Sequence, residues 1–302
     1  LKEAALPLRL CYNQCAYNIS PLMRGGSDQI VQAGIELIGS SSKIADLEVI
    51  EAAVAVLEKC NSGDFSLEIG DIGFFKELMN QLNVDANQQE TIRNFIELKN
   101  YTALNDMLDE IGDTDATRAL KMLPRLFGGE EVFTKAAQLF SDERTDSILS
   151  RLKDLYKDVS KLSHNGKITV DLGMVNRTDY YTGVILKGYI EGFGEPVLSG
   201  GRYDKLIAEF GYDVPATGFA VNVDAVTKVK MKNEKTQSKV TDILVYAYKG
   251  YEMKAVLTAR QLRESGKTVE VAVFDDLEKV KKYAAELKIL KIVTVCDKIT
   301  EL

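Results

Sequence analysis

The 302-residue chain is 45% hydrophobic and 27% charged, the balance of a folded globular protein, and its length suits about two domains. A net charge of −7 opposes strong binding to nucleic-acid backbones, and no apolar run reaches the ~20 residues that span a bilayer. The opening residues, LKEAALPLRLCY, lack the apolar stretch and cleavage site of a signal peptide, so a cytoplasmic location is expected.

In chain order, residues 8–18 and 28–39 read as strands. The second, DQIVQAGIELIG, alternates so that one face is apolar and the other carries Gln32 and Glu36, about 13 Å apart along the strand. The connector NISPLMRGGS, with Pro21 and Gly25-Gly26, reads as a loop. Helical spacing follows Ser42 through KIADLEVIEAAVAVLEKC, and FSLEIGDIG reads as the next strand.

From about 76 to 164 the pattern becomes helix after helix, ANQQETIRNFIEL, YTALNDMLDEIG, DTDATRALKMLPRLFG, EEVFTKAAQLF and RTDSILSRLKDLYKDVSKL, with no strand between them. Strand character resumes at KITVDLGMV and runs through YYTGVILKGYI, a turn at EGFGE, and PVLSGGRYD, with a helix near 202–210 and a strand in PATGFAVNVD. KVKMKNEKTQSK reads as a linker, after which strand and helix alternate as βαβαβ, the signature of a small parallel sheet. The expected domains are therefore 1–235, interrupted by the helical segment, and 240–302.

Cys11, Cys15, Cys60 and Cys296 are scattered, and His164 is the sole histidine, so a zinc site lacks ligands and the thiols are expected to be reduced. His164 lies in a polar loop, SHNGK, and is not expected to be catalytic. SGGRYD at 199–204 and RGGSD at 24–28 match neither a dinucleotide fingerprint nor a P-loop and read as turns. By pattern alone, Gln32 and Glu36 are a solvated sheet face, and Tyr180 and Tyr181 are packing residues on opposite faces of a strand.

Taken together and in order, CYNQCAYNISPLMRGGSDQIVQAGIELIG, LEIGDIGFF, DLGMVNRTDYYTGVILKGYI, LSGGRYDKLIAEFG and ATGFAVNVDAV resemble the catalytic domain of class II histidyl-tRNA synthetases. The segment 240–302 resembles a shortened anticodon-binding domain of that family. The resemblance implies an α/β (α+β) fold with a class II synthetase-like, mainly antiparallel sheet. Because the chain starts past the family's first motif and without an initiator Met, it is expected to begin inside a longer gene product.

The family activates histidine with ATP, using arginines fixed on phosphate charge. At the matching positions this chain has Asn18 and Ser20 in the second motif, with Asp28 in its arginine-rich loop, Asn176 in the histidine-specific motif with Arg177 beside it, and Ala225 in the third motif. The resemblance instead keeps the histidine-reading residues Gln32, Glu36, Tyr180 and Tyr181, and brings Gly200, Gly201 and Arg202 near the ligand as a closing loop. A carboxylate and a phenol around an imidazole select for both ring nitrogens.

This combination is similar to the family of regulatory subunits of ATP phosphoribosyltransferase. It implies no catalytic residue and no cofactor. It also implies a homodimer within a hetero-octamer, partnered by the short-form catalytic subunit and inhibited through histidine, with neither tRNA nor membrane as a partner. A divergent histidyl-tRNA synthetase using Arg24 or Arg177, and a stand-alone histidine sensor, remain open at this point.

Overall fold

The structure is a computed structural model describing residues 5–17, 29–60, 64–162, 166–175, 180–233 and 241–302. It divides into two compact units, Leu1–Asn233 and Glu234–Leu302.

The first unit is built on eight strands: β1 (Leu8–Tyr17), β2 (Gln29–Ile38), β3 (Phe65–Asp71), β4 (Phe127–Gly128), β5 (Lys167–Asp171), β6 (Val184–Ile190), β7 (Leu198–Arg202) and β8 (Ala216–Asn222). They form one sheet in the order β1-β2-β8-β7-β6-β3-β5-β4, antiparallel throughout except for β3 beside β5. Parallel neighbours require a long crossover. Here the crossover is helical: α2 (Ile72–Asn80), α3 (Ala86–Glu97), α4 (Tyr101–Ile111), α5 (Asp115–Met122), α6 (Glu131–Leu139) and α7 (Glu143–Val159). The helical segment thus leaves and re-enters the sheet at adjacent strands.

Local sequence explains the helix starts. Asp71, Asp85, Asn100, Thr114 and Asp142 each accept a backbone N–H of the following first turn, so orphan donors are satisfied by side chains. At Asp85, Thr114 and Asp142 the third helical residue reciprocates and completes a capping box.

Alternation along the strands gives the sheet two chemically distinct faces. One presents Ile35, Leu37, Leu67, Ile69, Val170, Leu186, Leu198 and Phe219 to a continuous apolar core, against which α1 (Lys43–Cys60) packs across β2, β3, β6 and β8. The register puts Tyr12, Gln14, Gln32, Glu36, Asn222, Glu68, Lys187 and Tyr189 together on the other. That polar face holds the chemistry.

In the second unit β9 (Ile243–Ala247), β10 (Val269–Val271) and β11 (Lys291–Val295) are parallel, joined by α9 (Glu252–Glu264) and α10 (Leu277–Glu286). β9 is apolar on both faces: Ile243 and Val245 pack with Ala255 and Ala259 of α9, while Leu244 and Tyr246 pack with Val280 and Ala284 of α10. A short strand β12 (Ile299–Glu301) adds antiparallel to β11, which the βαβαβ pattern did not include.

Several local expectations differ from what forms. The helix expected through KMLPRLFG ends at Met122, because Pro124 supports only a 3-10 turn over Leu123–Arg125, and β4 follows within the supposedly all-helical region. The helix near 202–210 is a single 3-10 turn over Ile207–Phe210. The first part of the linker is helix α8 (Val223–Asn233), anchored by buried Ala225, Val226 and Val229. Asn18, Ser20, Arg24, Asp28, His164, Asn176 and Arg177, and the loop with Gly25-Gly26, lie outside the described residues.

Candidate functional site

Glu36 is the natural centre of the polar face. It stands on β2 opposite Gly218 of β8, and a Cβ at Gly218 would collide with the Glu36 carboxylate, so glycine makes room for it. Two residues earlier Gly34 lies under the Tyr12 ring, where a Cβ would come within 2.6 Å of the ring carbon that bears the hydroxyl. The alternation that spaces Gln32, Gly34 and Glu36 thereby lines up an amide, an aromatic ring and a carboxylate.

Tyr203, the residue after β7, donates its hydroxyl hydrogen bond to Glu36. Its ring meets Tyr180 edge-on at 5.9 Å, and Tyr180 packs against Tyr181 at 4.4 Å between centroids. The expectation that Tyr180 and Tyr181 point to opposite faces of a strand is incorrect. They precede β6 on non-strand backbone, which frees both rings to face one cluster.

Neighbouring hydrogen bonds hold that turn. The Thr182 N–H donates to the Arg202 carbonyl at 2.8 Å, the Thr182 hydroxyl accepts the Asp204 N–H at 3.0 Å, and Lys76 Nζ donates to the Tyr181 carbonyl at 3.0 Å. A cavity of about 580 Å³ beside Tyr181 is lined by Lys76, Glu77, Gln89, Glu90 and Arg93, so the helical segment reaches the edge of this site.

Electrostatics follow from this enclosure. Burial pushes the Glu36 carboxyl above its ordinary range, partly offset by the Tyr203 hydrogen bond. Burial first, then the Glu36 charge, raises Tyr12 and Tyr203, and burial with Tyr180 raises Tyr181, so all three phenols stay neutral. Among the described residues, no Lys or Arg stands on this face of β1, β2, β7 or β8. The cluster is a carboxylate ringed by phenols. It suits a ligand that donates N–H bonds or carries positive charge, and it repels phosphate.

The SGGRYD stretch is not a closing loop: Gly200, Gly201 and Arg202 are in β7, paired to β6 and β8 in the middle of the sheet. Strand alternation sends Arg202 to the opposite face. There it is 7% exposed, its Nε and Nη2 donate to Asp46 Oδ1 of α1 at 3.0 and 2.8 Å, and its Nη1 donates to Asp204 at 2.9 Å and the Ser40 carbonyl at 3.1 Å. Arg202 is a structural clamp. Tyr203 and Tyr12 are the site residues that sequence reading missed. The same alternation would have exposed Tyr203 had the strand pattern in PVLSGGRYD been followed through its two glycines.

Ala225, in the third-motif position, is 2% exposed in the core at the start of α8. Among the described residues no group of three His, Cys, Asp or Glu could hold a metal, the four cysteines are free, and no helix is long and apolar enough to cross a membrane.

Comparison with known proteins matches the histidyl-tRNA synthetase family model to residues 1–226. An ATP phosphoribosyltransferase regulatory subunit of Clostridium acetobutylicum is 40% identical over 300 residues, spanning 97% of this chain and 73% of the relative. One from Clostridium kluyveri is 40% identical over 298 residues, spanning 97% and 76%. The chain belongs to the ATP phosphoribosyltransferase regulatory subunit family. A solved structure described as such a regulatory subunit/histidyl-tRNA synthetase, from Bacillus halodurans C, superposes with a TM-score of 0.83 at 26% identity, covering 97% of this chain and 74% of that one. Histidyl-tRNA synthetase from Nostoc sp. PCC 7120 shares the fold, with a TM-score of 0.76 at 18% identity over 100% of this chain and 77% of its own. The class II synthetase-like architecture expected from sequence is therefore the fold of this regulatory-subunit family member.

Proposed function

We propose that the chain is a non-catalytic regulatory subunit that binds free histidine at Gln32, Glu36, Tyr180 and Tyr181, with Tyr203 and Tyr12 completing the enclosure. In this reading it forms a homodimer within a hetero-octamer, activates the short-form catalytic subunit of ATP phosphoribosyltransferase, and transmits feedback inhibition when histidine is bound. The observation that carries the reading is the Glu36 carboxylate ringed by phenols, with no described Lys or Arg on that face of β1, β2, β7 or β8. An imidazole N–H can replace the Tyr203 hydroxyl on Glu36, whereas adenylate formation needs cations on phosphate oxygens.

Two measurements test it. Calorimetry is expected to show saturable histidine binding, and ATP–pyrophosphate exchange with histidine is expected to stay at background. Robust exchange would overturn the reading in favour of a divergent synthetase. Histidine binding without co-purification of a short phosphoribosyltransferase would instead leave a stand-alone sensor.

A further inference from the structure

The polar face continues beyond the tyrosine cluster to the far end of the sheet. Over β6, β3 and β5 lies a cavity of about 350 Å³, lined by Glu68, Asp171, Lys187 and Tyr189 from the strands, by Glu97 at the end of α3 and by Lys99 from the α3–α4 turn. Glu36 on β2 and Glu68 on β3 are four strand spacings apart, about 19 Å. This cavity is separate from the proposed histidine pocket.

The charges lining it are not arranged as an ordinary solvated face. Glu68 and Lys187 are direct cross-strand partners on β3 and β6, a placement at which opposite charges normally join. Burial pushes both the Glu68 and Asp171 carboxyls up, and Lys187 and Lys99 each pull both of them down, so all four charges sense one another. Yet among the described residues no ion pair within 4.0 Å joins either lysine to either carboxylate. Tyr189 lies diagonal to Glu68 on the same face, and Asp171 accepts the Gly173 N–H at 2.8 Å.

A second observation comes from Thr169. It is the β5 partner of Glu68, two residues before Asp171, and so lies on the same face, next to the cavity but not in its lining. It is 4% exposed and its hydroxyl is buried with no hydrogen-bond partner among the described residues. A divalent metal does not fit, because two ammonium groups share the space and no three-ligand group is present among the described residues.

We propose that this cavity binds a small zwitterion, a free α-amino acid, with its ammonium group between Glu68 and Asp171 and its carboxylate on Lys187 and Lys99. Such a ligand adds no net charge and pairs each sign with its opposite. Tyr101, Phe127 and Met174 leave an apolar wall for its side chain.

The test uses the full chain carrying Glu36→Gln, so that the tyrosine pocket does not contribute. Free L-amino acids, histidine included, are presented singly at millimolar concentration by saturation-transfer NMR, and the affinity of any binder is measured by calorimetry. At least one is expected to bind, and Lys99→Gln and Asp171→Asn are each expected to weaken it about tenfold or more. Its methyl ester and its N-acetyl derivative are expected to weaken to the same degree. Lys99 stands exposed on its turn, so Lys99→Gln decides the question even if Asp171→Asn fails to fold. The proposal is overturned if no amino acid binds, if Lys99→Gln leaves the affinity unchanged, or if the capped derivatives bind equally well. A histidine complex lost with Glu36→Gln and unaffected by Lys99→Gln supports the tyrosine pocket alone and overturns this one.

Discussion

Glu36 places a buried carboxylate among neutral phenols, and that arrangement has a stability consequence of definite sign. Its folded-state pKa is raised because burial disfavours the ionised form by more than the Tyr203 hydrogen bond compensates. The unfolded chain therefore releases this proton at lower pH than the folded one, and stability declines as pH rises through that window, with the full penalty above the folded pKa. Glu36→Gln keeps an acceptor for Tyr203 and removes the charge. It is expected to abolish histidine binding while melting higher than wild type near neutral pH, by about 2–4 °C per kcal/mol relieved. Thermal melts across a pH series should show the two proteins converging as pH falls below the folded pKa; a gap that widens towards acid would contradict the burial argument. Period-2 spacing put Gln32 and Glu36 on one strand face, and only the family resemblance singled them out from a solvated surface. Tyr203 was not legible, because two adjacent glycines disguise a strand as a turn, and Tyr12 depends on a cross-strand register that one strand's sequence does not contain.

At the scale of elements, β7 works through both of its faces. Tyr203 reaches Glu36 on one side, while on the other Arg202 ties β7 to α1 through Asp46. Burial pushes the Asp46 carboxyl up and Arg202 holds it down against that push, so the pair is worth keeping only while both members remain. Arg202→Met is expected to cost about 3 kcal/mol in urea unfolding, because it leaves Asp46 and Asp204 without their cation. If Arg202 were a ligand contact on a closing loop, as the family resemblance implied, the same substitution would weaken histidine binding and leave the urea midpoint in place. The helices were the most legible elements, since their apolar periodicity and capping residues agree. α8 was less legible. Lys228, Lys230 and Lys232 gave it the composition of a linker, while its burial rests on only a few small apolar residues.

At the scale of the molecule, the order of strands carries information that no single stretch holds. β3 is inserted between β6 and β5, so strands separated by the helical segment in sequence are neighbours in the sheet, and Glu68 and Asp171 owe their place in one cavity to that closure. Family resemblance made this architecture legible where local pattern gave only a succession of strands and helices. Each unit also encloses its own apolar core, one beneath the eight-stranded sheet and two flanking the sheet of β9 to β12. Every residue of the tyrosine cluster belongs to Leu1–Asn233. A domain with its own core can fold alone. A chain ending at Asn233 is therefore expected to unfold cooperatively by circular dichroism and to bind histidine within about twofold of the full chain's affinity, since every residue of the cluster lies in that unit. A truncated chain that folds but loses histidine would mean that Glu234–Leu302 helps to shape the pocket, and its role would then belong to ligand binding rather than to a separate contact.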